Sequence, residues 1–477
     1  MNESLRPKRP IDRKARIKIP PVEQVARPAE ERVHDFEPTY QPLTPEMAQR
    51  AAERCLHCKD PAPCVRACPA NNDIPTAMWM IEFGDFAGAA EVYRKTSSLP
   101  GICGRVCPHE SLCMGHCTLG KRGDAVITGA LEAFVCDYQR EHDRVLIETA
   151  APTGKRVAII GGGPGGLSAA EQLIRKGHAV TIFEAMPVAG GMLTYGIPNF
   201  KLPKGVIQER IQDLLDAGVE LITNTTIGKD KTIDDLFEGG YHAVYISVGT
   251  GVDVKLNIPG STLGGIYPSG SFLARANAQQ SGLPYKGAPL KVGERVVVVG
   301  GGDTASDCLR TALRMGASNV TCLYRRTEAE MPGGDKDRYL SIEEGAKYRY
   351  LTQPIRFIGG PDDHVTAVEC LQCELGEPDE SGRRRPIPIE GSNFLVPADT
   401  VVLALGYWPD PLLGNTTPEL DTTKWGLILA HPETGETSRP GVFAGGDAVS
   451  GPDLVVTAMR DGRRAAASIH TYLENLN

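Results

Sequence analysis

The chain has 477 residues, enough for about three domains, because a single hydrophobic core stops growing near roughly 250–300 residues. A hydrophobic fraction of 41% with 23% charged residues excludes a disordered or fibrous chain, and a net charge of -8 argues against a nucleic-acid partner, since polyanions are repelled from most of the surface. There is no apolar run of about 18 residues and no apolar stretch behind the basic start MNESLRPKRP, so no membrane span is expected and a cytoplasmic protein is; thirteen cysteines in that setting point to metal or redox chemistry rather than to disulfides.

In chain order, residues 1–45 carry Pro7, Pro10, Pro20, Pro21, Pro28 and Pro38 among charges, which predicts an extended proline-rich arm. Residues 46–150 hold nine of the cysteines between stretches of helical spacing at 74–93 and 130–138, which predicts a small helical domain stapled by metal. At 155 the pattern becomes strand, glycine turn, helix, strand, in RVAIIGGGPGGLSAAEQLIRKGHAVTIFEA. The same order recurs from Glu294, in ERVVVVGGGDTASDCLRTALRMGASNVTCLYRR, so two nucleotide-binding βαβ units are expected. The apolar runs DTVVLALGY and PGVFAGGDAV and a final helix read as a return to the first unit. The expected class is α/β: a helical metal-binding domain (46–150), a Rossmann-like dinucleotide-binding domain in two parts (151–270 and 400–477), and a second Rossmann-like domain between them (271–399).

Gly161, Gly163 and Gly166 follow the strand VAII and open a helix, the context in which a GxGxxG pattern has physical meaning. The first glycine permits a tight turn, the second lets backbone approach a pyrophosphate, and the third lets helix and strand pack closely. Glu184 ends the next strand, where it can accept hydrogen bonds from a ribose hydroxyl. In the second loop Gly300 and Gly302 take the first two places and Ala305 the third. There the acid is replaced by Arg325 and Arg326, which suit a 2′-phosphate; FAD is therefore expected at the first loop and NADPH at the second.

Two cysteine runs stand out: Cys55, Cys58, Cys64 and Cys68 before Pro69, then Cys103, Cys107 before Pro108, Cys113 and Cys117. Structural zinc is the rival reading, but zinc sites use separated CxxC pairs, whereas these runs are like bacterial ferredoxin runs, in which the fourth cysteine ligates the other cluster. That exchange groups Cys55, Cys58, Cys64 and Cys117 in one cluster. It groups Cys68, Cys107 and Cys113 in the other, with the last position open to Cys103 or an oxygen ligand. His57 and His109 lie inside the runs and are expected beside the clusters rather than on them. Cys136, Cys308 and Cys322 are expected as buried apolar residues, and Cys370 and Cys373 lack the helix start that activates a CxxC dithiol.

Together with GRVCP at 104–108, GGMLTYGIPNFKLPK at 190–204 and AGGDAV at 444–449, these residues resemble the small (beta) subunit of NADPH-dependent glutamate synthase and its relatives, among them the flavin and iron–sulfur halves of dihydropyrimidine dehydrogenases and ferredoxin:NADP oxidoreductases. The resemblance runs from about Arg54 to Ala467 and departs from the family at the five residues between Cys58 and Cys64, where many relatives have four, and at Cys103. It implies that Gly191 and Met192 lie along the isoalloxazine ring, that Gly446 and Asp447 contact the ribityl–pyrophosphate region, and that Glu132, in ITGALEAF, supplies the last ligand of the second cluster. It further implies an NADPH-oxidising FAD and iron–sulfur subunit, with two 4Fe–4S clusters, that delivers electrons to a glutamate synthase large subunit. The alternatives are an electron-transfer subunit of a ferredoxin:NADP or pyrimidine-reducing oxidoreductase and, in another class, a zinc-stapled nucleotide-sensing interaction protein. No catalytic acid–base or nucleophile set is found, which suits a chain without a terminal substrate of its own.

Overall fold

The computed structural model describes residues 11–476; the first ten residues of the expected arm, with Pro7 and Pro10, lie outside them. The rest of the arm is not simply extended. It holds two short helices, Arg13–Ile17 and Ala29–Arg32, the first capped by the Asp12 side chain, which accepts from the Lys14 and Ala15 amides. Pro28 stands just before the second helix, where its lack of an N–H costs nothing. The arm then doubles back, with the Arg27 amide donating to Thr39 O at 2.8 Å and a bridge between Ala26 and Tyr40.

The cysteine region is helical, as its apolar spacing predicts. Thr44, Asp73 and Asp85 cap the helices Pro45–Glu53, Ile74–Glu82 and Phe86–Arg94 by accepting from backbone amides of the first turn. Met78, Ile81, Tyr93, Leu131 and Val135 form a core of their own. Two further helices, Pro100–Val106 and Thr128–His142, pack almost backbone to backbone, because a Cβ on Gly104 would lie 2.6 Å from Ala133 N.

Two five-stranded parallel sheets follow; they share the run of three successive strands on one side and differ in the edge strand on the other, which comes last in the chain in the first sheet and first in the second. In the first the order is Val442–Ala444, Ala243–Ile246, Arg156–Ile160, Ala179–Phe183, Glu220–Ile222. In the second it is Ile266–Pro268, Thr400–Leu403, Arg295–Val299, Asn319–Leu323, Lys347–Arg349. The late strand Val442–Ala444 thus returns to the first unit. Two expected boundaries shift, however. Thr400–Leu403, read as part of the returning flavin segment, pairs with Arg295–Val299, and Ile266–Pro268, placed in the first flavin segment, pairs with Thr400–Leu403. The causes differ. Thr400–Leu403 is fully buried and reads as a bare apolar run, so nothing in its pattern says which sheet it joins, whereas Ile266–Pro268 is a three-residue edge strand, too short to carry a pattern. An antiparallel sheet built on Thr352–Gly359 and Val365–Pro378 is inserted in the second unit, and the last helix, Val455–Glu474, closes on the first unit through Ser168 Oγ donating to Met459 O at 2.9 Å. No helix among the described residues is long and apolar enough to cross a membrane.

Candidate functional site

A single cavity of about 2000 Å³ reaches all three regions: Gly161, Gly163, Glu184, Gly191, Met192, Gly446 and Asp447 from the first unit, Gly302, Asp303 and Thr304 from the second, and Cys107, His109, Ala130 and Phe134 from the helical domain. On the flavin side the turn after Arg156–Ile160 depends on Gly161, at φ +100°, where a Cβ would lie 2.4 Å from Ser247 O. Gly163 then begins the helix Pro164–Arg175 with no side-chain cap and no atom near its missing Cβ, so the helix N-terminus opens on the cavity as an anion site. Gly166 packs inside the turn rather than lining the cavity. Glu184 is buried, its Oε2 accepting from the Gly162 amide and its Oε1 from the Met186 amide, both at 2.8 Å; burial pushes its carboxyl up against those bonds. Asp447 follows Gly446, and burial, ahead of the neighbouring Asp453 and Asp461 charges, brings it to about 6. The residues present fit a flavin dinucleotide: a free helix terminus for the pyrophosphate, and carboxylates where hydroxyls are to be held.

The second loop repeats the plan. Gly300 turns at φ +140°, Gly302 begins the uncapped helix Asp303–Arg314, and Ala305 is buried behind it, its amide donating to Gly302 O at 2.9 Å. The two arginines part company. Arg325 is exposed, whereas Arg326 is 4% exposed and committed: its Nε donates to Arg384 O and its Nη2 to Asp379 Oδ2, both at 2.6 Å. Neither lines the cavity itself. Of the two, Arg325 is the one with an uncommitted guanidinium among the described residues, so the expectation of a 2′-phosphate contact falls on it. Losing a charge-assisted hydrogen bond costs roughly 1.5–3 kcal/mol, so Arg325→Ala should cut the NADPH-over-NADH ratio of kcat/KM by about one to two decades. An unchanged ratio would contradict that assignment.

The cysteines lie in two neighbouring groups. Cys55, Cys58, Cys64 and Cys117 line one small cavity, which Leu56, Pro63, Pro75, Leu119 and Val126 help to close. The charges of Cys55, Cys58 and Cys117 all act on Cys64. In the second group Cys68 feels Glu132 and Cys103, Cys107 feels Cys103, Glu132 and Cys113, and Cys113 feels Glu132 and Cys68 and also Cys64 of the first group. Burial leads the causes that push Cys55, Cys64 and Cys113 up to about 12 and Cys68 to about 11. Glu132 is buried on the helix Thr128–His142. Burial and then the Cys103 charge push it well up, opposed only by Asn72 Nδ2 at 3.4 Å. Buried acidic groups this short of partners suit a cationic iron centre, so the donor set fits two clusters. Among the described residues, no three such groups converge closely enough to hold one metal ion. Cys103 is also buried within the second group.

His109 was expected beside the clusters, whereas two lysines escaped the sequence reading. His109 lines the cavity one residue beyond Pro108, and its Nε2 is buried without a hydrogen-bond partner among the described residues; burial lowers the ring to about 4. Lys204 is buried and lowered by that burial to about 7, and donates to Leu193 O at 2.8 Å and to Ile197 O, holding the 190–204 segment in shape. Lys201 bridges Asp307 and Asp337 at 2.9 Å each. The only sequence signal for the two lysines was their place in NFKLPK.

Residues 32–144 match the model of the dihydropyrimidine dehydrogenase domain II, 4Fe–4S cluster family, and residues 155–462 match that of the pyridine nucleotide-disulphide oxidoreductases. The chain is 41% identical to the glutamate synthase [NADPH] small chain of Halomonas elongata, over 94% of this chain and 95% of that one. It is 42% identical to the putative oxidoreductase AegA of Escherichia coli, over 93% of this chain and 68% of that one. Among solved structures, FprA of Mycobacterium tuberculosis in complex with NADPH superposes with a TM-score of 0.55 at 22% identity, covering 67% of this chain and 85% of that one, which supports the fold. With a 4Fe–4S domain ahead of two dinucleotide-binding units, the protein is an NADPH-dependent flavin and iron–sulfur oxidoreductase whose cofactors are FAD, NADPH and two 4Fe–4S clusters. The chain belongs to the family of the NADPH-dependent glutamate synthase small chain.

Proposed function

We propose that this chain is the electron-input subunit of a glutamate synthase, oxidising NADPH and sending electrons singly to a large subunit that carries the glutamate-forming site. The observation that supports it most is the continuous cavity, because one space is bordered by both glycine loops and by Cys107. When bound, the flavin and the clusters together supply the conversion of a hydride into single electrons. The protein's part is placement. The turn at Gly161 and Gly163, closed by Gly166, would hold the flavin pyrophosphate at a helix N-terminus, Glu184 would take a ribose hydroxyl, and Gly191, Met192, Gly446 and Asp447 would hold the rest of the flavin. Gly300, Gly302 and Ala305 do the same for NADPH, with Arg325 on the 2′-phosphate and Arg326 fixing the hairpin beside it. Cys55, Cys58, Cys64 and Cys117 hold the first cluster, and Cys68, Cys107, Cys113 and Glu132 the second.

The isolated chain should reduce artificial acceptors with NADPH yet form no glutamate from glutamine and 2-oxoglutarate, and a large subunit should restore synthesis. Glutamate made by this chain alone would contradict the division of labour. A second reading, in which the acceptor is another redox protein, is favoured by the 42% identity to AegA, a putative oxidoreductase, beside the 41% to a glutamate synthase small chain, and by the 38% identity to the beta subunit of an NADP(+)-dependent formate dehydrogenase. Reduction of a ferredoxin, with no glutamate formed when large subunit is added, would select it.

A further inference from the structure

The N-terminal arm meets the NADPH unit through buried charge. Glu344, at the end of the helix Asp335–Glu343, accepts from three guanidiniums: Arg32 of the arm through Nε at 2.7 Å, Arg310 through Nε and Nη2 at 3.0 and 2.9 Å, and Arg314 through Nη1 and Nη2 at 2.6 and 3.1 Å. Arg32 also pairs with Glu343 at 2.7 Å, and Arg310 Nη2 donates to Thr39 Oγ1 of the arm at 2.7 Å. Arg32 and Arg310 are 2% and 0% exposed. Against the burial that would raise it, the hydrogen bonds from Arg314 and Arg310 hold Glu344 down at about 2.

The same knot grips the flavin unit. Arg310 and Arg314 lie over the Phe200 ring at 4.4 and 4.2 Å, the Thr39 amide donates to Phe200 O at 2.9 Å, and Asn199 Nδ2 donates to Phe36 O at 2.9 Å. Next in the chain, Lys201 reaches across to Asp307 and Asp337 of the NADPH unit. Phe200 and Lys201 belong to the segment that opens with Gly191 and Met192, and Lys201, Asp307 and Arg310 line the cavity. Four cations (Arg32, Lys201, Arg310, Arg314) meet four carboxylates (Asp307, Asp337, Glu343, Glu344) across three segments that are far apart in sequence.

We propose that the arm is a clamp: Arg32 and Thr39 fix the angle between the NADPH unit and the flavin-bordering segment, so that Arg32 is a positioning residue for hydride transfer although it touches neither nucleotide. The physical ground is that a displacement of about 1 Å between reacting groups can cost on the order of 100-fold in rate, while the affinity of the nucleotide for its own loop is left alone. The inference rests on the placement of NADPH at the Gly300–Ala305 loop.

The test uses full-length holoenzyme, mixed with NADPH in a stopped-flow instrument while flavin absorbance is followed over a range of NADPH concentrations. Arg32→Ala should lower the limiting rate of flavin bleaching at least tenfold with NADPH Kd within threefold of the parent, and Arg32→Lys should recover part of the rate. Thr39→Val, which removes one bond without burying an unpaired charge, should slow bleaching in the same direction with flavin and iron content intact. Equal limiting rates in parent and Arg32→Ala would overturn the clamp. So would a loss in Arg32→Ala that comes with loss of flavin or iron while Thr39→Val bleaches at the parent rate, since that is a folding role alone. If the nucleotide placement itself were at fault, the parent flavin would not bleach with NADPH at all.

Discussion

Cys55→Ser and Cys117→Ser are expected to extinguish the same iron–sulfur signal, and Cys68→Ser the other one, although Cys68 is far closer to Cys55 in the chain. The reason is the crossing of the two runs. Cys117 sits with Cys55, Cys58 and Cys64 around one small cavity, while Cys68, at the end of the helix Pro63–Ala67, turns away to Cys107, Cys113 and Glu132. A buried thiol pushed to about 12 is a poor anion until a metal pays for its charge, so a serine at any one of these places leaves a site that does not assemble. Each single variant should lose about half of the iron and lower the melting temperature of the helical domain, because metal binding free energy is folding free energy where the site does not pre-exist. Flavin bleaching by NADPH should survive in Cys117→Ser. Electron paramagnetic resonance of the dithionite-reduced proteins decides: if Cys55→Ser and Cys68→Ser remove one common signal and Cys117→Ser another, the runs do not cross.

Glu132→Ala should remove or transform the second cluster, whereas Cys103→Ser should leave its iron content and resonance nearly unaltered. Both residues are buried in the second group, so burial does not choose between them. What favours the carboxylate is its isolation. Its one hydrogen-bond partner among the described residues, Asn72, is at 3.4 Å, and it projects from a long helix that Gly104 allows to lie against the helix leading into Cys107. Leaving a buried carboxylate uncompensated costs at least several kcal/mol, and an iron atom offers the compensation. A carboxylate is also a harder donor than a thiolate, so Glu132→Cys should retain a cluster but shift its potential. Loss of a cluster in Cys103→Ser with Glu132→Ala unaffected would hand the position to the fourth thiolate.

What the sequence made legible was local. The glycine turns stand at strand ends because only glycine tolerates the φ of Gly161 and Gly300, and the cysteine runs announce their chemistry through spacing. The crossing of the runs is an expectation carried over from ferredoxins, and the cysteine variants above test it. What stayed hidden depends on partners distant in the chain. Arg325 and Arg326 look equivalent until Asp379, 53 residues on from Arg326, claims the second of them. The prolines of the arm forecast an absence of regular structure, but not that Arg32 would be buried against Glu344, 312 residues away. Thr400–Leu403 carried no mark of its sheet, since both sheets bury their central strands on both faces.

The account rests on electrons passing from NADPH to flavin and out only through the clusters. Its most direct test follows reduction of an added large subunit by NADPH, comparing the parent with Cys117→Ser, while flavin absorbance is recorded in the same mixture. The account predicts that both proteins bleach their flavin with NADPH at similar rates and that only the parent reduces the partner. Equal reduction of the partner by Cys117→Ser would mean that electrons leave the flavin without the clusters, and would contradict it.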